Sequence, residues 1–369
     1  MRAATAAVQR PRDARLLVVD AVGRIAHHAR ADFAALLVAG DLVVANDAAT
    51  LPASLLGTHV ATAAPIEVRL AGRSSLALDD VRVFSAVVFG AGDFRTRTED
   101  RPPPPALQAG DVLALGPLAA TVVRGLGHPR LVELAFAGDP DRIRAGIARH
   151  GRPVQYAHLA EPLALWDVWT RFAAQPVAFE PPSAGFVVDW QLLDRLQERG
   201  IGFATLTHAA GLSSTGDAAL DARLPLAEAY VLPASTVAAI RATGRHGGRV
   251  VALGTTVVRA LEHAAAQPGG VAAGAGLATN RLGRASHLTI VDALVSGTHE
   301  PGSSHHELLR AFVSGATLDR IDAALESGGY RTHEFGDSVL LERSAQPRSN
   351  LKTATLASRL GNERTTLPA

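Results

Sequence analysis

Apolar and polar positions along the chain change their period several times. "RLLVVD" (Arg15 to Asp20) and "DLVVAND" (Asp41 to Asp47) are short apolar runs bounded by charge, the form of buried strands. Between them "DFAALLVAG" (Asp32 to Gly40) has helical spacing with a glycine at its end. From about Ser54 to Phe136 the runs become short and β-like, as in "PIEVRLAG", "VRVFSAVVFG", "GDVLALG", "ATVVRG" and "RLVELAFAG", with Gly, Pro and Asp turns between them. About six short strands without a helix predict a small barrel. "RPPPPALQAG" (Arg101 to Gly110) is too rich in proline for a central strand and reads as a stiff connector.

Helical spacing returns near Asp139 to His150, Leu163 to Ala173 and Asp189 to Gly200, the last leading into strand "IGFATL" (Ile201 to Leu206). "PASTVAAIRATGRHGG" opens on Pro233 and closes on glycines, as a helix does. Strand "RVVAL", the helix within "VVALGTTVVRALE" (Val250 to Glu262), helices near Ser304 to Val313 and Leu318 to Glu326, and a last strand "DSVLLE" follow. The expected fold class is α/β: a discontinuous α/β domain (1–53 and 138–342) with an inserted small antiparallel β-barrel domain (54–137). Residues 343–369 lack a core pattern and are expected to form a disordered tail.

Composition narrows the chemistry. With 47% hydrophobic and 19% charged residues the chain has the balance of a globular protein. The absence of cysteine removes disulfides, thiolate nucleophiles and Cys-ligated zinc. The only lysine, Lys352, lies in the tail, which argues against Schiff-base chemistry. A formal charge of +1 gives no global field for nucleic acid, so a tRNA partner draws no support from net charge. No signal-peptide core or membrane-length apolar run is present, and a cytoplasmic location without membrane contact is expected.

Three loops carry candidate chemistry. In "VVALGTTVVRALE", Gly254 permits a tight turn, Thr255 or Thr256 can cap the following helix, and the open helix start suits a carboxylate or phosphate, with Arg259 one turn on. An ordinary capped helix with a solvated Arg259–Glu262 pair is the alternative. "LTHAAGLSSTGD" (Leu206 to Asp217) gathers His208, Gly211, Ser213, Ser214 and Thr215 after a strand, where open α/β sheets bind ligands. "SGTHEPGSSHHELL" (Ser296 to Leu309) sets His299, His305 and His306 around a Pro-Gly turn, with Ser303 or Ser304 as helix cap. Adjacent His305 and His306 diverge on a helix, so no metal is expected there, and His299 is the candidate acid or base. "HEFGD" (His333 to Asp337) is a base-bearing corner or a plain turn, and "GAG" (Gly274 to Gly276) is a weak dinucleotide signal.

Taken together, "VVALGTTVVRALE", "EPPSAGF" (Glu180 to Phe186), "VVANDAATLPASL" (Val43 to Leu55), "GTHEPGSS" and "FGDSVLL" (Phe335 to Leu341) resemble the S-adenosylmethionine:tRNA ribosyltransferase-isomerase family of queuosine biosynthesis. The resemblance implies an α/β domain with an inserted barrel, S-adenosylmethionine as co-substrate, tRNA as partner and no metal. It also implies transfer of the ribosyl moiety to a 7-aminomethyl-7-deazaguanine base, forming an epoxycyclopentane and releasing adenine and methionine. By the same resemblance Gly254, Thr255, Thr256 and Arg259 lie with Pro182, Ser183, Ala184 and Gly185 around the donor. His299, Pro301 and Ser303 lie near the reacting centre; Asn46, Asp47, Gly211, Ser213, Ser214, Thr215 and Glu228 join the substrate site; and His208 and Asp337 are further catalytic candidates.

The resemblance departs at Ala49 and Ser54, which stand where the family has arginines, and at Val187, where it has histidine. "RLPLAE" (Arg223 to Glu228) keeps only the glutamate of H-x-M-H-x-E, and "GLSSTGD" replaces G-x-G-T-F-x-P. These losses leave open a small-molecule acceptor for the same donor chemistry, or a catalytically silent binding module. If Arg259 holds the methionine carboxylate, Arg259→Ala is expected to weaken donor binding by about 1.5 to 3 kcal/mol without comparable loss of fold stability.

Overall fold

The computed structural model describes residues 1–77 and 79–344. From residue 345 onward the expected tail lies outside the described residues. Arg343, assigned to the tail by its pattern, is bonded into the fold: its guanidinium donates to Leu288 O (2.6 Å) and Asp292 Oδ1 (2.9 Å).

Nine strands form the main sheet, in the order Gly274–Ala278, Glu228–Leu232, Gly202–His208, Leu42–Asn46, Val250–Leu253, Ala293–Gly297, Ser338–Glu342, Arg15–Val19 and Ile25–Ala29. The four in the middle, from Gly202–His208 to Ala293–Gly297, run parallel. Their apolar runs are buried on both faces, as in Leu42–Asn46 and Val250–Leu253, where every residue is buried. Of these four, Leu42–Asn46 comes first in the chain, and its later neighbours pair on either side of it. The order of winding therefore reverses at that strand, and the crevice outside its carboxyl end is where such sheets take ligands.

The barrel is closed by six antiparallel strands, in the order Leu118–His128, Leu131–Phe136, Val83–Phe89, Ala64–Gly72, Ser54–His59 and Val112–Leu115. The period of two explains it: Leu118, Ala120 and Val122 point inward while Ala119 and Thr121 are exposed. Phe84, Val88, Leu113, Leu115 and Leu134 fill the interior, each contributing about 1.5 to 3 kcal/mol by burial. Helix Pro140–His150, capped by Asp139, lies against the barrel with Gly146 over Leu118. The chain thus has the α/β fold class with a small antiparallel barrel that the patterning predicts.

Several local expectations are corrected. Asp32 to Gly40 is not an α-helix ended by Gly40 but a 3-10 segment, Arg30–Leu36, that stops at Leu37. The stretch near Leu163 to Ala173 is helical only over Leu165–Val168, because Gln9 captures the carbonyls of Asp167 and Trp169 and the Trp169 indole donates to Thr50 O. Gly274 to Gly276 follows no strand because it is one, the edge strand paired with Glu228–Leu232. Helix Ser304–Leu309 is shorter than expected and Gly315–Ser327 longer.

Candidate active site

A cleft of about 170 Å3 opens at the carboxyl ends of the parallel strands. One wall is the turn after Val250–Leu253, where Gly254 sits at φ +99° and ψ 153°. That conformation is essentially restricted to glycine, and a Cβ there would lie 3.4 Å from that of Ala184. Helix Thr255–Ala265 begins next, and its cap is Gly254 with no side-chain cap bond, which corrects the expectation that Thr255 or Thr256 caps it. Thr255 is buried, and Thr256 Oγ1 sits 3.5 Å from Asn46 Nδ2. The first amides of this helix have no intrahelical acceptor, and Gly254, Thr255 and Thr256 line the cleft at the positive end of the helix dipole.

Pro182, Ser183 and Ala184 form the facing wall, in the 3-10 turn Ser183–Val187, with Gly185 packed behind them on Thr170 and Phe172. Gly211, Glu228 and Arg259 form the floor, and His299 and His305 the far side. The two histidine rings lie 4.8 Å apart, and Ser296 Oγ is 2.7 Å from His299 Nε2.

Arg259 is neither solvated nor free to clamp a ligand. It ion-pairs with Glu228, and it donates to the carbonyls of Asn280, Leu226 and Ala278, each at 3.1 Å. Glu262, the partner suggested by helical spacing, instead accepts from the amides of Thr289, Ile290 and Val291. The other Glu228 oxygen accepts the Gly211 amide at 2.6 Å. Gly211 is required by this close packing, because a Cβ would meet Ala71 O and Glu228 Oε1 at 2.9 Å.

Other candidates lie behind the cleft. Asn46 is a bracket between strands, donating to His208 O and accepting the His208 amide, both at 2.9 Å. Asp47 accepts from Thr207 Oγ1 at 2.7 Å. Ser214 and Thr215 are folded onto Asp221, and the Ser213 amide donates to Glu180 at 3.0 Å. Pro301 is exposed and is not among the residues lining the cleft, and Ser303 caps helix Ser304–Leu309 through the His306 amide. His306 is held by Asp322 at 3.0 Å. Ala49 pairs with Pro176, and Ser54 donates to Glu67 inside the barrel.

Asp337 is a correction. Its buried carboxylate accepts the amides of Arg15 and Arg331 and pairs with both guanidiniums at 3.0 and 3.3 Å. Burial alone would push its carboxyl up; these bonds outweigh it and hold it below the usual range. It ties the corner before the last strand to the first strand, away from the cleft, so it is a structural anchor.

Glu180, the first residue of "EPPSAGF" and outside the candidate set, is buried in the cleft wall. Burial, together with the nearby charge of Glu334, raises its carboxyl to about 8. His208 is fully buried 3.4 Å from Glu228. Burial, then the charge of Arg259, lowers its ring to about 3 and that of His305 to about 4. Burial, then His305, His306 and His333, pushes His299 well below its ordinary value. At neutral pH the cleft therefore offers uncharged imidazoles as proton acceptors and a mostly protonated carboxyl as donor.

These shifts set opposing pH dependences. The stability contributed by neutral His208 is complete above its ordinary value of 6.5 and is lost as pH falls through about 3. Protonated Glu180 works in the other direction: its contribution is complete below 4.5 and lost as pH rises through about 8. Urea unfolding of the wild type is expected to show stability declining across that second window, and Glu180→Gln to flatten the decline. An identical slope in the variant would mean that Glu180 is ionised within the fold.

A second cluster flanks the cleft. His158 stacks on His333 at 4.3 Å and on Tyr156 at 5.6 Å, with Glu334 Oε2 3.9 Å from His158 Nε2.

The profile of a family described as queuosine biosynthesis protein matches residues 1–341. The chain is 32% identical over 328 residues to an S-adenosylmethionine:tRNA ribosyltransferase-isomerase of Pelobacter propionicus, covering 87% of this chain and 90% of that one. It is 33% identical to the protein of that name from Gloeobacter violaceus, covering 90% of each chain, and 34% identical to that of Acaryochloris marina, covering 91% of each. A solved S-adenosylmethionine tRNA ribosyltransferase from Thermotoga maritima aligns over 92% of this chain and 95% of its own at 24% identity, with a TM-score of 0.48.

Proposed function

This chain belongs to the queuosine biosynthesis protein family, and from that premise we propose that it is an S-adenosylmethionine:tRNA ribosyltransferase-isomerase. It moves the ribosyl moiety of the donor to a 7-aminomethyl-7-deazaguanine base in tRNA, forms the epoxycyclopentane of epoxyqueuosine, and releases adenine and methionine. The single observation in the fold that supports this reading best is the turn at Gly254, whose open helix start faces the cleft. The methionine carboxylate of the donor meets the amides of Thr255 and Thr256, with the walls at Pro182 to Ala184 closing over it. Arg259 acts from behind as a positioning residue that fixes this helix to Glu228.

The chemistry has two proton requirements. The sulfonium acidifies its neighbouring C–H, which a neutral base must deprotonate, and departing adenine must gain a proton. His299, oriented by Ser296, is the base in this reading, and Glu180 is the acid. The sulfonium itself supplies the leaving group, so no step draws on a metal. No helix among the described residues is long and apolar enough to cross a membrane.

Thermal shift with two ligands tests the carboxylate contact. At about a hundred times its Kd, S-adenosylmethionine is expected to stabilise the protein by about 2.7 kcal/mol. Decarboxylated S-adenosylmethionine at the same concentration is expected to do far less. Equal stabilisation by both would remove the helix start from the donor site.

A further inference from the structure

We propose that His158, His333 and Glu334 form a binding site for a divalent transition ion of the zinc type, separate from the transfer chemistry. Each of the three side chains offers one ligand atom, and these atoms all lie within 4.8 Å of one another. Two imidazole nitrogens and a carboxylate oxygen are the donor set that suits zinc, whereas magnesium and calcium prefer oxygen alone. Bonds of about 2.0 to 2.2 Å would require the atoms to draw together by roughly 1 to 1.5 Å. Rotation of the partly exposed His333 ring can provide this movement.

The second observation concerns unpartnered atoms. His158 Nε2, Glu334 Oε2 and Tyr156 OH are all buried, and none has a hydrogen-bond partner among the described residues. Leaving such a group unpaired costs about 1 to 3 kcal/mol, and three in one place call for a ligand or ordered water. Glu300 Oε1, 3.5 Å from His333 Nε2, is placed to orient that ring or supply a further oxygen.

The position suggests what the ion does. His158 lies in the segment after helix Pro140–His150, and His333 and Glu334 form the corner before the last strand, with His333 at φ +69°. A shared ion would pin these two segments together beside the cleft wall that carries Glu180. It is a structural clamp.

Cobalt serves as the probe. Full-length protein stripped with chelator and titrated with Co2+ is expected to develop a visible d–d absorption that saturates at one equivalent. Zinc is expected to abolish this band and to raise Tm, also saturating at one equivalent. Glu334→Gln, which keeps size and hydrogen-bonding capacity, and His158→Ala are each expected to weaken binding by about a hundredfold or more. His305→Ala, which alters the other close histidine pair, is expected to leave the band unchanged. The Tm of each stripped variant reports that it folds. The proposal is overturned if the folded wild type shows no saturable band or Tm rise, or if Glu334→Gln binds as tightly as the wild type. It is also overturned if His305→Ala abolishes the band, which would place the ion in the cleft.

Discussion

Glu180→Gln is expected to slow adenine release by about 10²- to 10⁴-fold, the usual contribution of a positioned general acid. The carboxyl sits in the cleft wall, receives the Ser213 amide at 3.0 Å, and is raised to about 8 by burial and by Glu334. A wild-type rate limited by this acid falls as pH rises through about 8, because the proton-donating form is lost. In the glutamine variant that alkaline limb should vanish while S-adenosylmethionine still binds. Single-turnover adenine release measured across pH 6 to 9.5 reads both effects. A variant that keeps the wild-type rate, or keeps the limb, would remove Glu180 from the chemistry.

The second large effect is on the fold. Arg259→Ala is expected to destabilise the protein by about 3 to 5 kcal/mol, because it leaves Glu228 buried without its partner charge. It also orphans the carbonyls of Leu226, Ala278 and Asn280. This reverses the effect expected if Arg259 held the donor carboxylate, in which donor binding weakens and the fold is indifferent. Glu228→Ala combined with Arg259→Ala should cost clearly less than the sum of the single changes, since the pair is removed together. Urea unfolding of the four proteins in the cycle measures this coupling. Additive losses, or a stable Arg259→Ala protein with weakened donor binding, would restore the ligand-clamp reading.

The barrel was legible in the sequence because its strands alternate with a period of two between glycine, proline and aspartate turns. The central parallel strands were legible because burial on both faces makes them continuous apolar runs. The edges were not. Ile25–Ala29 carries His27 and His28, and Gly274–Ala278 is rich in glycine; both are held by backbone pairing, which leaves no apolar alternation to read.

The candidate site divides in the same way. Gly254 to Thr256 was visible because strand, turn and helix are contiguous there, and the structure brings Pro182 to Ala184 opposite. Interactions between distant segments were invisible. Helical spacing offers Glu262 to Arg259, but the inward face of that helix meets Glu228 on a neighbouring strand. The shift of Glu180 comes from its burial and then from Glu334, and His158 meets His333 only after the chain has passed through most of the sheet. Nothing local to any of these residues announces the encounter.

Transfer of the ribosyl moiety can be read in one incubation. Folded protein is mixed with S-adenosylmethionine and tRNA carrying 7-aminomethyl-7-deazaguanine, and the small molecules and the modified base are identified by mass spectrometry. Adenine and methionine are expected in equal amounts, with a matching gain of the ribosyl-derived mass on the base. S-adenosylhomocysteine with a methylated product, or no adenine from protein that demonstrably binds the donor, would contradict it.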